Sequence, residues 1–214
     1  MMADDLGKLR AEIDRIDGEL LALIEARQSV AAQVAGTKPP GSPVFRPARE
    51  AYLLASLLDR AAPANSQLVK RVWRQLLSAS VARQKPDFTV LAPQQLSLAA
   101  SHLAAGFFKL ALTDDSAAAL ARLAAGEGDL ALLDADSLAG LAAEISESGP
   151  VRLIGRFEDL FLLSCLPTDA DETGLAIWAV QQGDSFALVE QSGYLEGPSG
   201  AHLLGRIAAD PASG

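Results

Sequence analysis

The stretch Leu6–Val34 reads LGKLRAEIDRIDGELLALIEARQSVAAQV. Leu6, Leu9, Ile13, Ile16, Leu20, Leu23, Val30 and Val34 recur at alternating spacings of three and four, and Arg27 occupies the one other position of that series. Such spacing puts the series on one face of a long helix that packs against another helix. A guanidinium on the seam must lose water, at a cost of several kcal/mol unless a partner replaces it. An internal acid in a buried ion pair would serve, and so would an anionic ligand inside a helix bundle. The helix is expected from Asp4 or Asp5 to Ala35-Gly36, about 45 Å at 1.5 Å per residue. A helix of that length requires a partner helix along most of its extent.

Pro39-Pro40-Gly41-Ser42-Pro43 breaks this first helix. A second is expected from Pro47, favoured at the first helical position, through Leu53, Leu54, Leu57 and Leu58. A third, capped by Asn65 or Ser66, carries Leu68, Val69, Val72, Trp73, Leu76, Leu77 and Val81 and ends before Pro86. Past Pro86, strands alternate with Ala/Leu-rich helices. Strands are expected at 88–91, 108–112, 129–133 and 151–154, and helices at 96–105, 116–125 and 138–145. That alternation implies βαβ units and a mostly parallel sheet. Closer strands at 160–166, 174–180 and 186–189 suggest an antiparallel end, and the tail is expected to fray from Asp210. The expected architecture is therefore an all-helical domain over residues 1–85 and a small α/β domain over residues 86–214.

Half of the 214 residues are hydrophobic but only 5% are aromatic, a composition of packed helices. Of the net charge of −9, residues 1–85 carry 13 Lys+Arg against 9 Asp+Glu, and residues 86–214 carry 5 against 18. An acidic second half argues against a nucleic-acid partner. No run approaches the ~18 consecutive apolar residues of a membrane span, and the N-terminus has no apolar leader, so a cytoplasmic protein is expected. Cys165 is the one cysteine and sits in an apolar run, which suits a structural thiol. His102 and His202 lack metal-ligand spacing and read as structural.

Polar groups also interrupt the apolar faces of the other helices. Lys38 follows the end of the first helix, and Arg49 and Glu50 occupy the first turn of the second. Ser80 and Gln84 share a face with Trp73 and Leu76 on the third. Each has an ordinary reading as a surface or first-turn residue. Together they describe an interhelical pocket with an excess of positive charge, suited to a small dianion, because arginine matches carboxylates with two parallel hydrogen bonds. Arg10 precedes Arg27 by 17 positions, about 25 Å along the helix and roughly 260° around it. The two cannot serve one site from the same helix. Arg10 is either a solvated surface residue or a contributor to a second subunit's pocket, reached by antiparallel pairing of two long helices.

These residues resemble the all-helical chorismate mutase family over about residues 5–85. The resemblance rests on Leu9-Arg10-x-x-Ile13-Asp14-x-x-Asp17, Leu20-Leu21-x-Leu23-Ile24-x-x-Arg27 and Lys38, followed by Pro43-Val44-Phe45-x-Pro47-x-Arg49-Glu50 and Ser80-Val81-x-x-Gln84. It implies an intertwined homodimer through the first helix, with each site taking one arginine from the partner. Arg27 and the partner's Arg10 would hold the two carboxylates of chorismate. Lys38 and Gln84 would donate to the ether oxygen, Arg49 would add positive potential, Glu50 would accept from the ring hydroxyl, and Ser80 would contact a carboxylate or hydroxyl. The implied reaction, a unimolecular rearrangement of chorismate to prephenate, requires no metal or redox cofactor. Arg46 departs from the family, which often carries an acid at that point of the substrate-binding wall, so Glu50 would act there alone.

The segment 116–133 is similar to one lobe of periplasmic-binding-protein-like domains, the fold of prephenate dehydratase domains that often follow a chorismate mutase domain. The Thr-Arg-Phe triplet of a dehydratase site is absent and residues 86–214 are too few for its two full lobes, which implies a degenerate relative serving regulation, packing or partner contact. Two alternatives share the helical fold: an isochorismate-pyruvate lyase, and a non-catalytic module that modulates another shikimate-pathway enzyme.

Overall fold

The computed structural model describes residues 2–39, 41–166, 174–192 and 196–208. The tail expected to fray from Asp210 lies outside them. By internal contacts the chain divides into two compact units, Met1–Pro40 and Gly41–Gly214.

The first unit is a single helix, α1 (Met2–Thr37). Its 36 residues span about 54 Å. The eight apolar residues of the stripe are all exposed, from 42% at Ile16 to 66% at Leu23. Neighbouring turns are tied by Arg15, which pairs with Glu12 at 2.8 Å and also with Glu19.

The second unit begins with α2 (Pro47–Leu58) and α3 (Ser66–Gln84), joined through a short 3-10 turn at Pro63–Asn65. Pro47 opens α2 as its fixed φ predicts, and Asn65 precedes α3 without a side-chain capping bond. There follow β1 (Thr89–Pro93), α4 (Ser97–Ala104), β2 (Lys109–Thr113), α5 (Ser116–Ala124), β3 (Leu130–Leu133) and α6 (Ala135–Gly140). The chain continues with β4 (Arg152–Phe157), β5 (Leu160–Ser164), β6 (Leu175–Gln182), β7 (Ser185–Ser192) and β8 (Ala201–Ile207). The strands form one sheet in the order β2-β1-β3-β5-β4-β8-β6-β7.

The sheet is mixed, which corrects the expectation of a mostly parallel one. Strands β2, β1 and β3 pair in parallel because α4 and α5 carry the chain back between them. Past the start of β4, two of the connections, β4–β5 and β6–β7, are two-residue turns. One holds Glu158 at φ 53 and the other Gly183 at φ 63, left-handed values that reverse a chain tightly. The pairs β4–β5 and β6–β7 are therefore antiparallel, as are β3–β5 and β6–β8. Strand β8, which the sequence reading did not anticipate, lies between β4 and β6. Its Gly205 pairs with Leu153, whose carbonyl oxygen would stand 2.1 Å from a Cβ at that position. Only a residue without a side chain fits.

The two faces of the sheet carry separate cores, generated by the strand period of two. Leu91, Ala131, Leu133, Phe161 and Leu163 pack with Leu120 and Leu123 of α5 on one face. Val90, Ala92, Leu130, Leu132 and Leu162 pack with Leu103 of α4 on the other, together with Phe45 and Val81 from the helical segment. The ring of Phe88 links this group, standing 5.8 Å from Phe45 and 4.6 Å from Phe108. The boundary expected at residue 85 thus falls within one compact unit, because α2 and α3 share their core with the sheet. Gly155 makes the close approach possible, since a Cβ there would lie 2.7 Å from Pro47 Cβ at the start of α2.

Candidate active site

In the first unit, Arg10 is exposed and Arg27 half-buried. Because α1 runs unbroken between them, they stand about 25 Å apart along it. Lys38, half-buried, follows the last turn, its main-chain N–H donating to Ala35 O at 3.4 Å.

In the second unit, Arg46 caps α2 with its backbone, its carbonyl accepting from Glu50 N at 3.0 Å. Successive residues of a helix diverge by about 100°, and the first turn separates its charges accordingly. Arg49 remains exposed, with its guanidinium 5.7 Å from the Tyr52 ring centroid, whereas Glu50 is buried. The sequence reading allowed both to face inward; only Glu50 does so. Arg74 Nη1 of α3 donates to Glu50 Oε2 at 2.8 Å, and the same guanidinium lies 5.4 Å from the Phe157 ring centroid. Farther along α3, Ser80 Oγ donates to Leu76 O at 2.7 Å and Gln84 Nε2 to Ser80 O at 3.1 Å. Both side chains are half-buried beside the core residue Val81.

A cavity of about 910 Å³ opens between α2, α3, the end of α4 and the β4–β5 turn. Its charged lining includes Glu50, Lys70, Arg71, Arg74, Arg156 and Glu158, so cations outnumber carboxylates. Apolar walls come from Leu54, Leu58, Trp73 and Phe157. Of the residues expected at the site in this unit, Glu50 lines the cavity; Arg46, Arg49, Ser80 and Gln84 do not. The cations of α3 escaped the sequence reading, although Lys70 and Arg74 are one turn apart and flank Trp73, a spacing that signals a shared face.

Other polar groups have structural surroundings. The His202 ring nitrogen Nε2 is 2.6 Å from Ala142 O, and its ring meets Phe186 edge-on at 5.4 Å. Cys165 is half-buried, with Sγ 3.4 Å from Leu123 O. Burial pushes its thiol pKa up, and the positive charge of Arg152 partly opposes this. Among the described residues no group of three or more His, Cys, Asp and Glu could hold a metal ion, and no helix is long and apolar enough to cross a membrane.

The chorismate mutase type II family matches residues 9–85, which take in most of α1 and the whole of α2 and α3. The helical N-terminal segment is therefore similar to the chorismate mutase type II family, and the α/β segment that follows it carries a mixed sheet. A bifunctional chorismate mutase/prephenate dehydratase from Stutzerimonas stutzeri is 32% identical over 91 residues, covering 39% of this chain. The chain spans 25% of that relative's length. A solved structure described as a novel type of quorum quenching acylases, GqqA, covers 58% of this chain and 96% of its own at 12% identity. Its TM-score is 0.38, too loose a likeness to define a fold.

Proposed function

We propose that the chain is a chorismate mutase, converting chorismate to prephenate, in a homodimer that pairs through α1. The observation that carries this reading is the apolar stripe of α1, exposed along its length in the single chain and interrupted by Arg27. A second copy packed on that stripe would bury it and bring the partner's Arg10 to the site. Arg27 and the partner's Arg10 would hold the substrate carboxylates. Lys38 and Gln84 would donate to the ether oxygen as the C–O bond breaks, Ser80 would contact a carboxylate or hydroxyl, and Glu50 would accept from the ring hydroxyl. Arg49 and Arg46 would add positive potential from the start of α2. Gln84 and Ser80 would have to turn from the main-chain bonds they make on α3. The rearrangement is unimolecular, so the site has only to hold the chair-like conformer and meet developing charge with preset donors. The order and spacing of these residues within the family match support the assignment.

Loss of one such donor costs about 3–4 kcal/mol, or about 10²–10³ in rate. Arg27→Ala and Lys38→Ala are therefore expected to lose that much activity in a chorismate-disappearance assay while retaining wild-type helicity by circular dichroism. Near-wild-type turnover by both variants would sink the assignment. A second reading, a mutase-like module without turnover that acts on a partner enzyme, draws on Arg46, which stands where the family often carries an acid. Turnover by the purified chain alone excludes it.

A further inference from the structure

Glu50 is the one acidic residue between Gly41 and Leu58, and no neighbouring carboxylate on α2 can take its place. Its side chain is only 10% exposed, and Arg74, 21% exposed, reaches it across the gap between α2 and α3. A carboxylate so enclosed takes its orientation from the groups that bond it. The arginine is itself constrained. Its guanidinium carbon lies 5.4 Å from the ring centroid of Phe157, the last residue of β4, within the range of a cation–π contact. Its Nη1 remains directed at Glu50. A guanidinium held against a ring while it donates to a carboxylate has little rotational freedom, which a lysine ammonium would retain. The same strand bears on α2 directly, through the contact of Pro47 with Gly155.

We infer that Arg74 is a positioning residue that fixes the Glu50 carboxylate, and that Phe157 at the end of β4 fixes Arg74 in turn. The inference rests on the proposed mutase reading, in which Glu50 meets the substrate. It also gives the α/β segment a specific role, because the sheet then orients a group of the helical site through Phe157 and Arg74. A helical segment without β4 would lack the support that aims Glu50.

The test is a set of cycles on the full chain, with kcat and KM for chorismate measured for Arg74→Met, Arg74→Lys, Phe157→Ala, Phe157→Tyr, Glu50→Gln and the double variants. Arg74→Met is expected to lower kcat/KM about tenfold or more, largely in kcat, and to cost less than about twofold further in the Glu50→Gln background. Phe157→Ala is expected to lose a few-fold, and nothing more once Arg74 is Met. Phe157→Tyr keeps the ring and should stay near wild type, and Arg74→Lys should fall between. Losses for Arg74 and Glu50 that simply multiply would overturn the inference, because a merely structural role costs the same in either background. If Arg74→Met fails to fold, Arg74→Lys and Phe157→Ala carry the same comparison. Absence of turnover by the wild-type chain would instead remove the mutase reading. The Arg74–Glu50 coupling then remains measurable by urea unfolding of the four-member cycle, and zero coupling there would overturn the positioning as well.

Discussion

Helix α1 and the sheet use similar apolar content in opposite ways. Strands β1 and β3 enclose Val90, Leu91, Leu130 and Leu132 completely, between α4 on one face and α5 on the other. The leucines and isoleucines of α1 are exposed along the whole helix. Burying an aliphatic side chain is worth roughly 1.5–3 kcal/mol, so the sheet unit gains this stabilisation from its own elements, whereas α1 by itself gains none of it. The contrast separates two kinds of apolar pattern. Short apolar strands flanked by helices are satisfied locally, whereas a heptad-like stripe is the pattern that paired helices bury.

The sharpest way to break this comparison is to cut into the sheet. Leu132 is fully buried at the centre of one core, and Leu132→Ala should destabilise the fold in urea unfolding by about 2–5 kcal/mol, independent of protein concentration. A change under about 1 kcal/mol would mean that the sheet is not the rigid, close-packed unit described above.

The same truncation on α1 should behave differently. Leu23 is 66% exposed in the single chain, so Leu23→Ala should change the unfolding of the sheet by less than about 0.5 kcal/mol. If two chains pair through the stripe, it should weaken self-association about tenfold or more in sedimentation equilibrium, and helicity should become concentration-dependent. Identical association constants for wild type and variant would place the pairing surface elsewhere.

Legibility in the sequence followed the same division. Helix α1, the proline start of α2 and the alternating strands and helices up to β3 were readable because one local period governs each. Strand β8 was not, since Gly205, His202 and Arg206 break its alternation, and the glycine answers to the carbonyl of a strand far away in sequence. At the candidate site, Glu50 could be picked out as a charge on an apolar face. Arg74 could not be assigned to it, because their meeting depends on how α2 and α3 cross and on a ring supplied by β4. The outward turn of Arg49 was likewise a matter of helix phase, which residue type alone does not reveal.

The smallest expected effect concerns the edge of the enclosed region. Cys165 follows β5, packs against the core shared with α5, and points its sulfur at Leu123 O. With its pKa raised by burial, a smaller fraction is thiolate at pH 8 than in an unfolded chain, and the thiolate is the reactive form. Labelling by a neutral disulfide reagent should therefore be several-fold slower in the native protein than in urea, and its rate should keep climbing above the pH at which a free cysteine levels off. The charge of Arg152 favours the thiolate, so Arg152→Gln should slow native labelling further while leaving the rate in urea unchanged. Rapid stoichiometric labelling of the native chain at pH 7 would show that enclosure by the sheet stops short of Cys165. The contrast with α1 would then hold for the strands themselves and not for the segment that leaves them.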